Sequence, residues 1–350
     1  MNCRICEKNE ANQTGAHIFP SWMLASAFDK KARNRHYEVI FALTPLFNDL
    51  PYFGSSVLPE NEIHNLIGRD LTDEEITKQK NMFVVDNMWC RECESKIKVV
   101  EDYFLENIER KSVIFNSNEQ ITKKEFENVN IYLVRLFLYT LLYRAHLVSL
   151  FGFQLNKKSQ SILKKFLLQY LHSNLSGTIN IINASENKNQ ILKFPIRCIK
   201  TEQKEGETDN FVYTEKRHYK PYCLIINKYI IQFYGKGNRA KFYNNTCFGL
   251  CKLIGRSTDI RNYKEDTFKL GLLNNEIWMK IKKNLIDFYV DSWMNNFILM
   301  YKHLYKKKFH LEPDREQIGR FLNELVNNDI ELGIKFTKKK VLEAINRSLK

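Results

Sequence analysis

Apolar residues recur at helical spacing in three stretches of this chain and alternate or cluster as β-branched runs in another. From Cys90 to about Glu109, the positions Ile97, Val100, Phe104 and Ile108 fall three or four apart, which predicts a helix opened by a cysteine pair. Two further amphipathic helices are predicted over about 123–151 and 157–172. The pattern then turns strand-like between residues 178 and 243, in segments 178–182, 190–198, 222–226 and 229–234. From about Asn274 it returns to helix, with a face rich in Trp, Tyr and Phe. Ahead of all this, residues 15–20 form a short extended segment closed by Pro20. Residues 25–86 are a long polar insertion, with one helix start near residues 70–75, where Asp70 or Thr72 serves as cap and the acids suit the first turn. No internal repeat is present, which argues against a solenoid.

The expected architecture is therefore α+β. Residues 1–110 form an N-terminal module carrying the 25–86 insertion, 111–175 a helical segment, 176–273 a β-rich segment with a mixed sheet, and 274–350 a C-terminal helical segment. At 350 residues, with 44% hydrophobic and 13% aromatic residues, nearly the whole chain has the means to build a core. The polar stretch 201–210 is the exception.

The cysteines add chemistry to this outline. Cys3-x2-Cys6 and Cys90-x2-Cys93 are two pairs whose spacers bend the backbone so that both sulfurs face one point, the arrangement that holds Zn2+ at about 2.3 Å. A redox pair offers no reason for two such motifs. The long interval between the pairs fits a treble clef: a knuckle gives two ligands, a hairpin follows and carries the insertion, and the first turn of a helix gives the other two. Cys247-x3-Cys251, with Cys223 and His218 upstream, is too loosely spaced and too apolar between its members for a second metal, and reads as buried free thiols. Eight cysteines in this length are too few for a disulfide scaffold, and the N-terminal residues lack the apolar core of a signal peptide, so a reducing cytoplasmic compartment is expected. The most apolar run, 131–155, is interrupted by Arg135, Arg144 and His146 and reads as a buried helix, not a membrane span.

Charge points to the partner. Lys and Arg number 54 against 40 Asp and Glu, a formal +14, which favours a polyanion, with nucleic acid ahead of an anionic membrane and DNA ahead of RNA. A Lys- and Asn-rich coding bias raises the charge of any protein and stands as the alternative reading. Two lysine triplets, Lys306 to Lys308 and Lys338 to Lys340, with Tyr301, Tyr305 and Phe309 nearby, have the composition that tracks a phosphate backbone, although solvated helix faces commonly look the same. Arg135 and Arg144 lie nine residues apart, on opposite faces of one helix, so Arg144 by itself is expected to meet a buried carboxylate or a phosphate.

Between the two cysteine pairs lies Ala16-His17-Ile18-Phe19-Pro20, and the helix carries Cys90-Arg91-Glu92-Cys93-Glu94 followed by Glu101-Asp102-Tyr103-Phe104. This set resembles the HNH nucleases, the ββα-metal family, and in particular prokaryotic HNH-like proteins with a CxxC, His-Ile-x-Pro and CxxCE signature; the likeness covers residues 1 to about 110. It implies a structural Zn2+ on Cys3, Cys6, Cys90 and Cys93, and a catalytic Mg2+ or Mn2+ beside them. It also implies His17 as general base, Glu94 as metal ligand and Glu101 as a second acidic site residue. The implied activity is endonucleolytic hydrolysis of DNA, in prokaryotic defence or a mobile element. Two departures touch the catalytic metal: Ala16 stands where the family often has an acidic or histidine ligand, and Glu94 where it often has His or Asn. Glu94 and Glu101, two helical turns apart, share a helix face, where a solvated face or pairing with Lys98 is the structural alternative. His17 as a cap or hydrogen-bond donor is the corresponding one. His36 and His64 are supplementary ligand candidates. A non-catalytic zinc-stabilised nucleic-acid-binding or adaptor protein is the alternative function, and a protein partner or homo-oligomer fits either.

Overall fold

The computed structural model describes residues 1–25, 37–40, 52–57, 83–112, 121–201, 212–214, 221–235, 267–327 and 338–349. The chain divides into two compact units, one of residues 1–31 and 81–282, the other of residues 32–80 and 283–350. The expected helix start at residues 70–75, together with His36, His64, His218, Cys247, Cys251 and residues 202–210, lies outside the described residues.

The first unit begins with a knuckle at Cys3–Cys6, held by Glu7 N–H donating to Cys3 O at 2.8 Å and by Glu7 itself in the left-handed region at φ 58°. Strand β1 (Ala16–His17) pairs antiparallel with β4 (Val84–Val85), and Ile18 N–H extends the pairing to Phe83 O at 2.7 Å. After β1 comes α1 (Ser21–Ala25), and after β4 the helix α2 (Arg91–Phe104), which continues as one π-helical turn over Leu105–Glu109. Cys90 is the N-cap of α2, its sulfur accepting from Cys93 N–H at 3.4 Å, and Glu92 and Glu94 sit in the first turn, where the helix dipole favours them. The insertion lies between α1 and β4, so the two strands that pair here are far apart in sequence.

A six-stranded mixed sheet forms the centre of this unit. Its order is β5 (Ile121–Glu127), β10 (Thr267–Leu273), β6 (Ile196–Thr201), β9 (Tyr229–Phe233), β8 (Tyr222–Ile226) and β7 (Val212–Thr214). Only β10 and β6 run parallel; the other neighbours are antiparallel. Every residue of β8 and β9 is buried, and since successive side chains point to opposite faces, both faces of the sheet are covered there. Helix α3 (Ile131–Leu147) is buried along fifteen positions from Ile131 to Ala145, and it packs against α2 on one side and α4 (Lys157–Tyr170) on another. Its N-cap is Asn130, whose Oδ1 accepts from Tyr132 and Leu133 N–H. Of the apolar run 131–155 read as a buried helix, Ile131–Leu147 is one; Ser149 then takes a left-handed conformation and the chain leaves through a 3-10 turn at Leu150–Gly152. No helix among the described residues is long and apolar enough to cross a membrane.

The aromatic core gathers around Phe104 of α2. Its ring lies 4.3 Å from Phe137 of α3, 6.1 Å from Trp22 of α1, 6.2 Å from Tyr229 of β9 and 6.3 Å from Phe268 of β10. One side chain thus joins the cysteine-bearing helix to the central helix and to two sheet strands. A buried ionic cluster does similar work at the end of the π turn: Glu109 accepts from Lys228 at 2.6 Å, from Lys200 at 2.8 Å and from the Tyr229 hydroxyl. Burial would push the Glu109 carboxyl up, but the two lysines hold it below the usual carboxylate range, while burial lowers Lys200.

Three expected elements change. Residues 178–182 read as a strand from their β-branched content, yet they lie in α5 (Leu175–Ala184), because Asn174 Oδ1 caps Gly177 N–H at 2.7 Å and starts a helix that local β-propensity does not stop. Residues 123–127 read as the start of a helix, yet they belong to the edge strand β5, drawn into the sheet by β10; Asn128 at φ 57° then turns the chain into α3. Of 190–198, only the part beyond Pro195 is strand, after a 3-10 turn at Lys188–Gln190. The expected helical and β-rich segments consequently share one sheet.

The second unit contains the hairpin β2 (Tyr37–Ile40) and β3 (Tyr52–Val57), and three helices. Helix α6 (Asn275–Phe309) runs into it from the first unit, followed by α7 (Arg315–Asn327) and α8 (Lys338–Ser348). Asp314 and Gln317 cap α7 reciprocally, each backbone N–H donating to the other's side chain at 2.8 Å. Phe297, Tyr301, Phe321, Leu325 and Val341 form the core of this unit, with the Tyr301 and Phe321 rings stacked at 4.6 Å. Of the first lysine triplet, Lys306 pairs with Glu312 and Lys308 donates to Leu349 O.

Candidate metal centre and the adjoining polar site

The four cysteines predicted to act together do come together. The sulfurs of Cys3, Cys6, Cys90 and Cys93 all lie within 4.8 Å of one another, and this is the one such group of three or more ligand-type side chains among the described residues. A tetrahedron with metal–sulfur bonds of 2.3 Å has edges of about 3.8 Å; Cys6 Sγ stands 3.9 Å from Cys90 Sγ. A soft all-sulfur donor set of this size suits Zn2+ over hard cations such as Mg2+ or Ca2+. Around the cluster, Asn9 Nδ2 approaches Cys90 Sγ at 3.8 Å while donating to Glu92 at 2.8 Å. Burial raises the Cys3 and Cys93 thiols; it acts against Cys6 too, but the backbone N–H groups of Asn9 and Lys8 bring that thiol down to about 7. A divalent ion entering this site displaces the remaining protons, so its affinity falls with pH.

Next to the cysteine cluster, the hairpin and α2 present a second polar group. His17 lies on the exposed side of β1, opposite the buried Ala16. Arg144 of α3, 1% exposed, donates from Nη1 to His17 O at 2.8 Å and from Nη2 to Glu101 Oε1, the Glu101 side chain being 14% exposed. Burial and the Arg144 charge lower the His17 imidazole from its ordinary value, with Glu101 opposing, so the ring is neutral at neutral pH. Glu94 sits on the same face of α2, and burial, reinforced by Glu101, raises its carboxyl against the pull of Arg144 and the nearby Trp89 indole. Glu94 Oε2 and Trp89 Nε1 are both buried, and neither makes a well-formed hydrogen bond.

The structure links the His17 backbone to Glu101 through Arg144 and sets Glu94 within the field of that pair; among the described residues no hydrogen bond or ion pair joins the His17 side chain to Glu94. Glu101 does not pair with Lys98, which takes Asp102 at 2.9 Å instead. Arg144 meets a buried carboxylate, one of its two expected partners, and Arg135 on the opposite face donates to Phe194 O at 3.1 Å. Sequence reasoning missed the Arg144 contact with the His17 carbonyl and the Glu109, Lys200 and Lys228 cluster; polar residues amid long apolar runs were the available signal for both. Cys198 and Cys223 are buried in β6 and β8 as free thiols. No protein-family model, no curated protein and no solved structure matches this chain.

Three outcomes follow. Zinc-loaded protein should contain about one zinc per chain, and Cys93→Ser should lose most of it and melt well below the parent, read by elemental analysis and calorimetry. Arg144→Met should cost about 3–5 kcal/mol in urea unfolding by stranding the Glu101 charge; Arg144→Met with Glu101→Gln should recover part of that, and a double variant whose loss equals the sum of the two single losses would show that the pair carries no coupling. Because the Glu94 carboxyl is raised, its ionisation opposes folding at neutral pH. Glu94→Gln should keep or raise the melting temperature at pH 8, by roughly a few degrees. The gap should close as pH falls toward the unfolded carboxyl value of about 4.3.

Proposed function

We propose that this chain is a metal-dependent endonuclease of HNH-like type that hydrolyses phosphodiester bonds in DNA. The observation that carries the reading is that buried Arg144 ties the His17 backbone on the hairpin to Glu101 on the helix that the cysteine cluster anchors, with Glu94 on the same helix face. The order of knuckle, hairpin and cysteine-capped helix supports a zinc-bound treble clef as the scaffold.

In this reading His17, held neutral, accepts the proton of the attacking water. Glu94, with a buried oxygen lacking a good hydrogen-bond partner, is the side chain that would hold Mg2+ or Mn2+, along with phosphate oxygens of the substrate. That ion would supply charge stabilisation at the leaving oxygen. Arg144 fixes the His17 backbone and keeps Glu101 engaged, so Glu101 acts as a positioning residue in place of the second ligand expected from the sequence.

The same ion pair favours the second reading, a zinc-stabilised nucleic-acid-binding or adaptor protein without catalysis. A guanidinium occupies Glu101, and among the described residues the cysteine group is the only close set of three or more ligand-type side chains.

Incubation of supercoiled plasmid with the full chain in Mg2+ or Mn2+ separates the two. The nuclease reading expects nicking that disappears in His17→Ala at unchanged zinc content, and a rate that falls as pH drops through an imidazole pKa below the ordinary 6.5. DNA binding with no cutting in any of these metals would establish the binding protein instead.

A further inference from the structure

A groove in the first unit, about 540 Å³ in volume, runs between α4 and the segment that follows α5. One face of α4 lines it through Lys158, Lys165 and Gln169, spaced so that they fall on the same side of the helix. Lys193 and Gln190 line it from across. Beneath lie the buried rings of Phe166, Tyr170 and Phe194, with Phe166 6.3 Å from each of the other two. No carboxylate is among the described residues that line the groove.

The three lysines are exposed and form no ion pair with any described residue. Their neighbours behave otherwise: Lys164 pairs with Glu7 at 2.6 Å, and Lys188 stands over the Tyr132 ring at 5.5 Å. Lysines left unmatched around a concavity repel one another, and a cleft of one sign concentrates its counter-ion. Three amide side chains, Gln169, Asn187 and Gln190, add donors suited to phosphate oxygens and donors and acceptors suited to base edges.

We infer that this groove holds a single-stranded DNA segment, with Lys158, Lys165 and Lys193 on its phosphates. The occupant follows from charge complementarity and shape: a basic slot of this size tracks one backbone, as single-strand binding surfaces do. The inference rests on the DNA reading of the preceding subsection and adds where the polymer lies.

Fluorescence anisotropy tests it, using the full-length zinc-loaded protein, a labelled 20-nucleotide single strand and its duplex, without Mg2+, across 50 to 200 mM salt. The triple variant Lys158→Gln, Lys165→Gln, Lys193→Gln should bind the single strand on the order of tenfold to a hundredfold more weakly, with a log–log salt slope shallower by about 2. The variant with arginine at all three positions should keep the parent slope, and the glutamine variant should keep the parent melting temperature. Unchanged affinity and slope in the glutamine variant would overturn the groove while leaving plasmid nicking intact. A duplex that binds more tightly and loses as much on substitution would overturn the single-strand assignment. Absence of DNA binding by the parent protein would remove the groove and the nuclease reading together.

Discussion

The Arg144 guanidinium, almost wholly shielded from water, is the contact on which the arrangement of the candidate site depends. A buried cation is costly unless its donors are satisfied and its charge is matched. Arg144 matches its charge with the carboxylate of Glu101 on α2 and donates to the backbone carbonyl of His17 on β1, while its Nε has no hydrogen-bond partner among the described residues. The central helix is thereby tied to the hairpin and to the cysteine-bearing helix at one point. Burial chiefly lowers His17 and raises Glu94, and the Arg144 charge adds to the first shift and opposes the second.

Two other constraints hold the frame around that point. The cysteine cluster joins the knuckle to the first turn of α2 across the whole insertion, which relieves the short hairpin of the task of fixing the helix. The rings around Phe104 then join α2 to α3 and the sheet by apolar contact. The cysteine cluster at one end of α2 and close packing at the other hold the helix and leave Glu94, part-buried in its first turn, free of any ion pair among the described residues. The proposed chemistry uses that freedom: a carboxylate raised by burial and short of a good partner is suited to receiving a cation.

Charge is distributed unevenly in the first unit. Around Glu109, two lysines neutralise one buried carboxylate and fasten the π turn to the sheet. On the groove side of α4, Lys158 and Lys165 have no such partner among the described residues. Net charge alone does not separate these two uses, because a lysine in a buried network and a lysine in an open groove count equally toward +14.

What the sequence by itself determined was local. The CxxC pairs foretold a four-sulfur cluster, the apolar spacing from Ile97 to Ile108 foretold α2, and the apolar run broken only by Arg135, Arg144 and His146 foretold a buried α3, because each pattern is written in neighbouring residues. The shared face of Glu94 and Glu101 was legible for the same reason, since helical geometry alone puts residues two turns apart on one side. The tertiary structure decided the rest. Whether 123–127 is strand depended on β10, far along the chain, and whether 178–182 is helix depended on an asparagine cap outcompeting β-branched propensity. The partner of Arg144, the pairing of Glu109 with Lys200 and Lys228, and the gathering of Lys158, Lys165 and Lys193 around one groove are all long-range or cross-element. Periodicity reports which face of an element is apolar, but it carries no information on which distant element that face will meet.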